Sequence, residues 1–196
     1  SGMLFDVVIG DNIYPDLQIP LLGEHQAKNC ALALAVCVDV MADLYREFTT
    51  FSMPAVRKNL SLLHWPGRME VLHSDPFVLL DACINSASCE NVKDVLRHLG
   101  ISNCTVIVGI PEDKDYAGVV RSMKDVAARI ILTRSGNPHY HFSKNQQETL
   151  VQEGISAEWT DSVKQALTLA ASFPNPIVIL GTTSVISEVA QVFRQS

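Results

Sequence analysis

Residues 65–85 read WPGRMEVLHSDPFVLLDACIN. The Pro66-Gly67 pair ends any helix arriving from the N-terminal side. Beyond it, FVLLD (77–81) is a short apolar run that closes on a carboxylate, and the pattern then repeats. TVIVG (105–109), RIILT (129–133) and PIVIL (176–180) are runs of the same kind, separated by helical stretches near 87–99, 115–127, 143–153, 161–172 and 183–195. Val- and Ile-rich strands joined through helices are parallel strands buried on both faces. The spacing therefore predicts an α/β fold over 66–196, a Rossmann-like three-layer αβα sandwich with a mostly parallel sheet. MEVLH (69–73) is placed beside FVLLD as an edge strand, in either orientation.

Upstream of the break the chain is of another kind. LFDVVIG and LQIPLL are strand-like, with turn signals at Asp11-Asn12 and Tyr14-Pro15-Asp16. An Ala- and Leu-rich run from Glu24 to Arg46 reads as a buried helix, and a second helix is expected from Met53 to Leu63. These elements are too few to close a core of their own. Residues 3–64 are therefore expected to be the tail of a larger domain, loosely attached and exposing apolar surface. A preceding domain would cover that surface, and it favours self-association.

Composition excludes several classes. With 196 residues, 47% hydrophobic and 18% charged, the chain suits one globular domain and an appended piece. A net charge of −6 argues against a broad nucleic-acid or anionic-membrane surface. No apolar stretch reaches the roughly 20 residues of a membrane span and no signal-like segment is present, so a cytoplasmic location is expected. Cys30, Cys37, Cys83, Cys89 and Cys104 contain no C-x-x-C pair and mostly fall in apolar elements, which suits reduced, buried thiols.

The carboxyl ends of parallel strands share one edge, where ligands of open α/β sheets bind. That edge collects Asp81, then Gly109 with Asp113-Lys114-Asp115, then Thr133-Arg134-Ser135, then Gly181-Thr182-Thr183-Ser184. Arg68 and Asp81 stand about one strand apart. A guanidinium there holds phosphate oxygens and a strand-end carboxylate accepts ribose hydroxyls, although a surface arginine and a helix-capping aspartate fit the same residues. Thr182 and Ser184 either hold an anion at a helix start or cap that helix. Asp113, Lys114 and Asp115 either face a ligand or complement a helix dipole. His139 and His141 lack the further ligands of a metal site and are read as loop residues. No G-x-G-x-x-G follows a strand and no G-x-S-x-G is present, which removes the main support for a dinucleotide reductase and a serine hydrolase.

One ordered set of motifs reaches further. Gly23-Glu24-His25-Gln26-Ala27-Lys28-Asn29 opens the Ala-rich helix, and WPGRMEV, an apolar strand, D-x-x-x-N (Asp81, Asn85) and VGIPEDKDY (108–116) follow. In this order and spacing the chain resembles the folylpolyglutamate synthase/dihydrofolate synthase branch of the Mur ligase superfamily, from about Leu17 to the last helix. The resemblance implies an ATP-dependent amide ligase, in which a pteroate or folate carboxylate is activated as an acyl phosphate and joined to the amine of glutamate. It further implies that Arg68 contacts ATP phosphates, Asp81 the ribose, and Asn29 and His25 the region of the adenine. Asn85, Asp113, Lys114, Asp115, Thr182 and Ser184 are candidates for the substrate-facing edge. Magnesium would bridge the phosphates through ligands upstream of these residues.

The sequence departs from that family in two places. Asp81-Ala82-Cys83-Ile84-Asn85-Ser86 stands where D-G-A-H-N-P is usual, with isoleucine for histidine and serine for proline. No glycine is followed by lysine, so the phosphate-cradling G-x-x-x-x-G-K-[ST] is absent. The 196 residues are thus expected to be a central-domain tail plus a C-terminal domain, inactive without an N-terminal ATPase part. A non-catalytic nucleotide- or ligand-binding module and a ligase of the muramyl-peptide branch are the alternatives.

Overall fold

The computed structural model describes residues 2–44 and 52–194. The chain divides into two compact units, Ser1–Trp65 and Pro66–Ser196.

The first unit opens with a hairpin of β1 (Met3–Ile9) and β2 (Asn12–Ile19), turning through Gly10 at φ +56°. The turn lies at Gly10-Asp11. The expected second turn at Tyr14-Pro15-Asp16 is instead an irregularity inside β2, opposite a register shift between Phe5 and Val7. Proline fits there because it has no N–H to offer a ladder. Asp16 adopts φ +56° and donates its N–H to Asp6 Oδ1 at 2.9 Å, while the Pro15 carbonyl accepts from Arg57 Nη2 at 2.7 Å.

Helices α1 (Glu24–Leu44) and α2 (Met53–Ser61) complete the unit. The expected extension of α1 to Arg46 falls outside the described residues. Val7, Leu17 and Leu34 form a small core with Phe5, Tyr14, Met53, Val56 and Leu60 around it. The helix predicted to be buried is not: among its described side chains only Gln26 and Leu34 are. Leu32, Val36 and Val40, one turn apart, are 67, 53 and 46% exposed. None of the described helices is long and apolar enough to cross a membrane.

The second unit is a six-stranded α/β sheet in the order β3 (Glu70–Ser74), β4 (Phe77–Asp81), β8 (Ile177–Gly181), β5 (Cys104–Gly109), β6 (Ala127–Thr133) and β7 (Glu158–Thr160). β3 is an edge strand antiparallel to β4, and every other pairing is parallel. Every residue of β5 and β8 is buried, as strands covered on both faces require. β7 is an element that periodicity did not reveal. It pairs with β6 at the edge of the sheet, aided by an Arg129–Glu158 ion pair.

Helices cover both faces. Val78, Leu80, Ile107, Ile131, Ile177 and Ile179 project to one side, against Val163, Ala166, Leu167 and Ala170 of α6 (Val163–Ala170) and Val185, Ile186 and Val189 of α7 (Thr183–Arg194). Residues of the opposite parity face the layer holding α4 (Tyr116–Met123), which packs on β5 and against α3 (Ser86–His98). The remaining helix, α5 (Asn145–Gln152), follows the loop after β6, and its buried Gln146 donates to the Ile110 carbonyl at 2.9 Å.

Candidate functional site

The strand order sets Asp81, Gly181-Thr182, Gly109-Ile110 and Thr133 side by side along the carboxyl edge of the sheet. Asp81 ends β4 and is only 5% exposed. Its Oδ2 accepts the Met69 N–H at 2.9 Å. Burial raises the carboxyl pKa from 3.8 to about 6, against the Met69 hydrogen bond and the charge of Arg68, which both lower it. Arg68 is exposed, between two residues in the left-handed region, Gly67 at φ +70° and Met69 at φ +47°. The Gly67 carbonyl accepts from Ala82 N at 2.8 Å, and a Cβ on Gly67 would lie 2.4 Å from Ile186 Cγ2. Arg68 is therefore carried on a turn bonded to the end of β4 and pressed against α7.

Asp81 does not cap α3. Asn85 does, accepting from Ser88 N at 2.8 Å, and the Ser86 N–H goes to Asp115 Oδ2 at 2.8 Å. Asp115 also caps α4 through Gly118 N at 3.0 Å, so one carboxylate serves two helix entrances. The Ser86 N–H bond, with Gly118 and Arg121 adding to it, holds the Asp115 carboxyl below its ordinary pKa. Asp113 and Lys114 are exposed and face each other at 3.5 Å. Asp81 thus has the Met69 amide as a structural partner, and the start of α3 is not one. It is buried and takes that amide through one oxygen, Oδ2.

At the β8–α7 junction the backbones are close: a Cβ on Gly181 would meet the Gly109 carbonyl oxygen at 2.7 Å. The hydroxyls at this junction do not cap α7. Ser184 Oγ accepts from Asn137 Nδ2 at 2.8 Å. Thr182 Oγ1 and Thr133 Oγ1 are buried with no hydrogen-bond partner among the described residues. Glu188 Oε1, one turn along α7, accepts the Gly136 N–H at 2.7 Å. The loop of Ser135-Gly136-Asn137-Pro138 is thereby fastened to the start of α7. Asn137 and Glu188 were not singled out from sequence, although the S-G-N-P run marks a turn.

His25 and Asn29 belong to α1 in the first unit. His25 is half-buried, and Asn29 Nδ2 donates to the buried Gln26 Oε1 at 3.3 Å. Ile84, at the position of the family histidine, is half-buried between Cys83 and the cap residue Asn85. Among the described residues no group of three or more His, Cys, Asp or Glu is placed to hold a metal ion, and His139 and His141 are exposed. The edge thus combines a presented guanidinium, a buried carboxylate and a row of hydroxyls and glycines, a set that suits a polyanion bearing hydroxyl groups.

Several relatives share this architecture. The chain is 26% identical over 192 residues to the folylpolyglutamate synthase of Lacticaseibacillus casei, covering 97% of this chain and 43% of that protein. It is 28% identical over 180 residues to a probable bifunctional folylpolyglutamate synthase/dihydropteroate synthase of Haloferax volcanii, covering 88 and 20%. The chain thus spans less than half the length of either relative. The Mycobacterium tuberculosis folylpolyglutamate synthase solved with ADP and AMPPCP has the same fold, with a TM-score of 0.82 at 23% identity over 97% of this chain and 47% of that one. The bifunctional folylpolyglutamate synthase/dihydrofolate synthase of Yersinia pestis, solved with AMPPNP and Mn, gives 0.76 at 22% identity over 95 and 43%. Residues 67–182, more than half of the chain, match the Mur ligase, glutamate ligase domain family, and the chain belongs to that family.

Proposed function

We propose that these residues form part of an ATP-dependent ligase that joins glutamate to a folate or pteroate carboxylate. The observation that carries this reading is the pairing, in a glutamate ligase domain, of Arg68 on a fixed turn with a buried Asp81 at the carboxyl edge. Arg68 is assigned to the phosphates and Asp81 to the ribose of ATP. Asn29 and His25 are assigned to the adenine region. Asn85, Asp113, Lys114, Asp115, Thr182 and Ser184 are assigned to the edge that receives substrate, with Asn85 and Asp115 acting through the helix entrances they cap. ATP with magnesium supplies the activation of the carboxylate. The residues of this chain supply binding and orientation, holding charge where the phosphates sit. The G-x-x-x-x-G-K-[ST] loop that would surround those phosphates is not among the 196 residues, so by themselves they are expected to form no amide bond.

The test is ATP-dependent incorporation of labelled glutamate into folate or pteroate by the gene product. Arg68→Ala should lower kcat/KM by two orders of magnitude or so, the loss of one charge-assisted contact that tightens in the transition state. Activity unchanged in Arg68→Ala, or no incorporation with either acceptor, overturns the reading.

A further inference from the structure

The turn that carries Arg68 has an unusual construction. Met69 is a side-chain-bearing residue at φ +47°, a region that L-residues other than glycine rarely occupy, so the turn does not hold itself. Hydrogen bonds of three kinds among the described residues hold it. Two come from β4, whose Asp81 carboxylate takes the Met69 N–H and whose following residue, Ala82, donates to the Gly67 carbonyl. The third is local: Glu70 Oε2 accepts the Gly67 N–H at 2.7 Å, three residues back, closing the turn around Arg68. Glu70 is the first residue of β3, so its backbone is fixed by pairing with Leu80 while its side chain reaches back over the turn.

We infer that Glu70 is a positioning residue, whose carboxylate, by holding the Gly67 N–H, sets the backbone from which Arg68 reaches a nucleotide phosphate. The inference rests on the assignment of Arg68 to ATP phosphates made above. The bonds from Asp81 and Ala82 pin the turn to the sheet, whereas the Glu70 bond sets its pitch between Gly67 and Met69. Without it Gly67, free of a Cβ, has wide conformational latitude at the point where the chain enters the turn. Arg68 would then sample many directions, and a phosphate would have to order it on binding.

The experiment compares Glu70→Ala, Glu70→Gln, Arg68→Ala and the double variant Glu70→Ala/Arg68→Ala in the 196-residue chain. ADP with magnesium is the titrant, followed by backbone amide NMR, and amide hydrogen exchange at Gly67 and Met69 is measured without nucleotide. Glu70→Ala should speed exchange at Gly67 and weaken ADP binding by about tenfold, the size of a contact loosened rather than removed. Glu70→Gln keeps an oxygen acceptor and should stay within about twofold of the parent. In the Arg68→Ala background, Glu70→Ala should cause no further loss, because the residue it positions is gone. A merely structural role would lower affinity equally in both backgrounds, and that pattern overturns the inference. Unchanged Gly67 exchange in Glu70→Ala overturns it as well, whatever the affinities. If Arg68→Ala binds ADP as the parent does, the phosphate assignment of Arg68 fails. The inference then fails as a statement about nucleotide, and the exchange data separately report whether Glu70 holds the turn.

Discussion

Asp81 and Asp115 are the same residue type near the same edge of one sheet, and folding treats them in opposite ways. Asp115 is exposed, accepts two helix-entrance N–H groups and has its pKa lowered, so its charge stabilises the fold. Asp81 is buried, accepts one N–H and has its pKa raised to about 6, so its charge weakens the fold. The helix entrances account for Asp115 without any ligand. They do not account for a carboxylate that titrates near 6, since a neutral acceptor would serve the Met69 amide at lower cost. Where folding alone does not explain a charge, binding is the natural explanation, and this asymmetry supports the nucleotide assignment of Asp81.

The largest effect separating the two regions should come from their glycines. Gly67 stands in the turn that meets Asp81, at φ +70°, with Ile186 Cγ2 2.4 Å from where a Cβ would be. Gly67→Ala combines a left-handed alanine with overpacking against α7, for about 3 kcal/mol of lost stability in urea unfolding. Gly118, beside Asp115, is also crowded, with Asp115 Oδ1 2.2 Å from an added Cβ, but the obstacle is the end of an exposed side chain. Gly118→Ala gains helix propensity as it displaces a cap and should stay within about 1 kcal/mol of the parent. Equal losses at the two positions would erase the distinction between a rigid and a yielding surround.

Asp81→Asn comes next. A folded-state pKa of about 6 against 3.8 means the native state holds the proton more tightly. That contribution to stability is fully present below pH 4 and is lost as pH rises through 6. Linkage sets its ceiling at about 3 kcal/mol. Asparagine keeps an acceptor for Met69 and does not titrate. The variant should match the parent near pH 4 and exceed its stability by about 2 kcal/mol at pH 7.5, while binding ADP more weakly. A difference between the two that is flat from pH 4 to 7.5 would mean that the buried charge is not what separates them.

How much of this was legible in the sequence follows from what each feature depends on. Strands such as TVIVG and PIVIL announce themselves because burial on both faces leaves almost no polar position, and their order places Asp81 on the carboxyl edge. Glu158-Trp159-Thr160 escaped because a three-residue edge strand, half-buried and carrying a glutamate, has no period to read. Tyr14-Pro15-Asp16 misled because turn-forming residues also serve at irregularities inside strands. Asp115 could be suspected as a cap of α4, three residues before Gly118. Its bond to Ser86, 29 residues away, could not. Asn137 with Ser184, 47 residues apart, was hidden for the same reason. Local chemistry is written locally, and contacts made by sheet topology are not.

Asp115→Ala should cost about 1–2 kcal/mol, since it removes the side-chain acceptor from two helix entrances at once. Its pH signature is the reverse of Asp81: the contribution is present above the ordinary carboxylate pKa and lost as pH falls through the lowered one. Asp115→Asn keeps one acceptor oxygen and should recover most of the stability at neutral pH. If Asp115→Ala leaves urea unfolding unchanged at pH 7 and pH 3 alike, the double cap is decorative and the contrast with Asp81 loses one side.

The smallest effect is expected at Thr182, and it extends the comparison to an uncharged group. Thr182 Oγ1 lies buried at the carboxyl edge without a hydrogen-bond partner among the described residues, as Thr133 Oγ1 does on β6. A hydroxyl in that position loses its water and gains nothing from the protein. Thr182→Val replaces it with a methyl group of similar shape. On folding grounds alone the substitution should be neutral or stabilising, by about 0.5–1 kcal/mol in urea unfolding. If the hydroxyl faces bound substrate, the same variant should raise KM for that substrate while leaving KM for ATP near its parent value. A loss of stability in Thr182→Val would show that the hydroxyl serves the fold after all, and would move Thr182 from the company of Asp81 to that of Asp115.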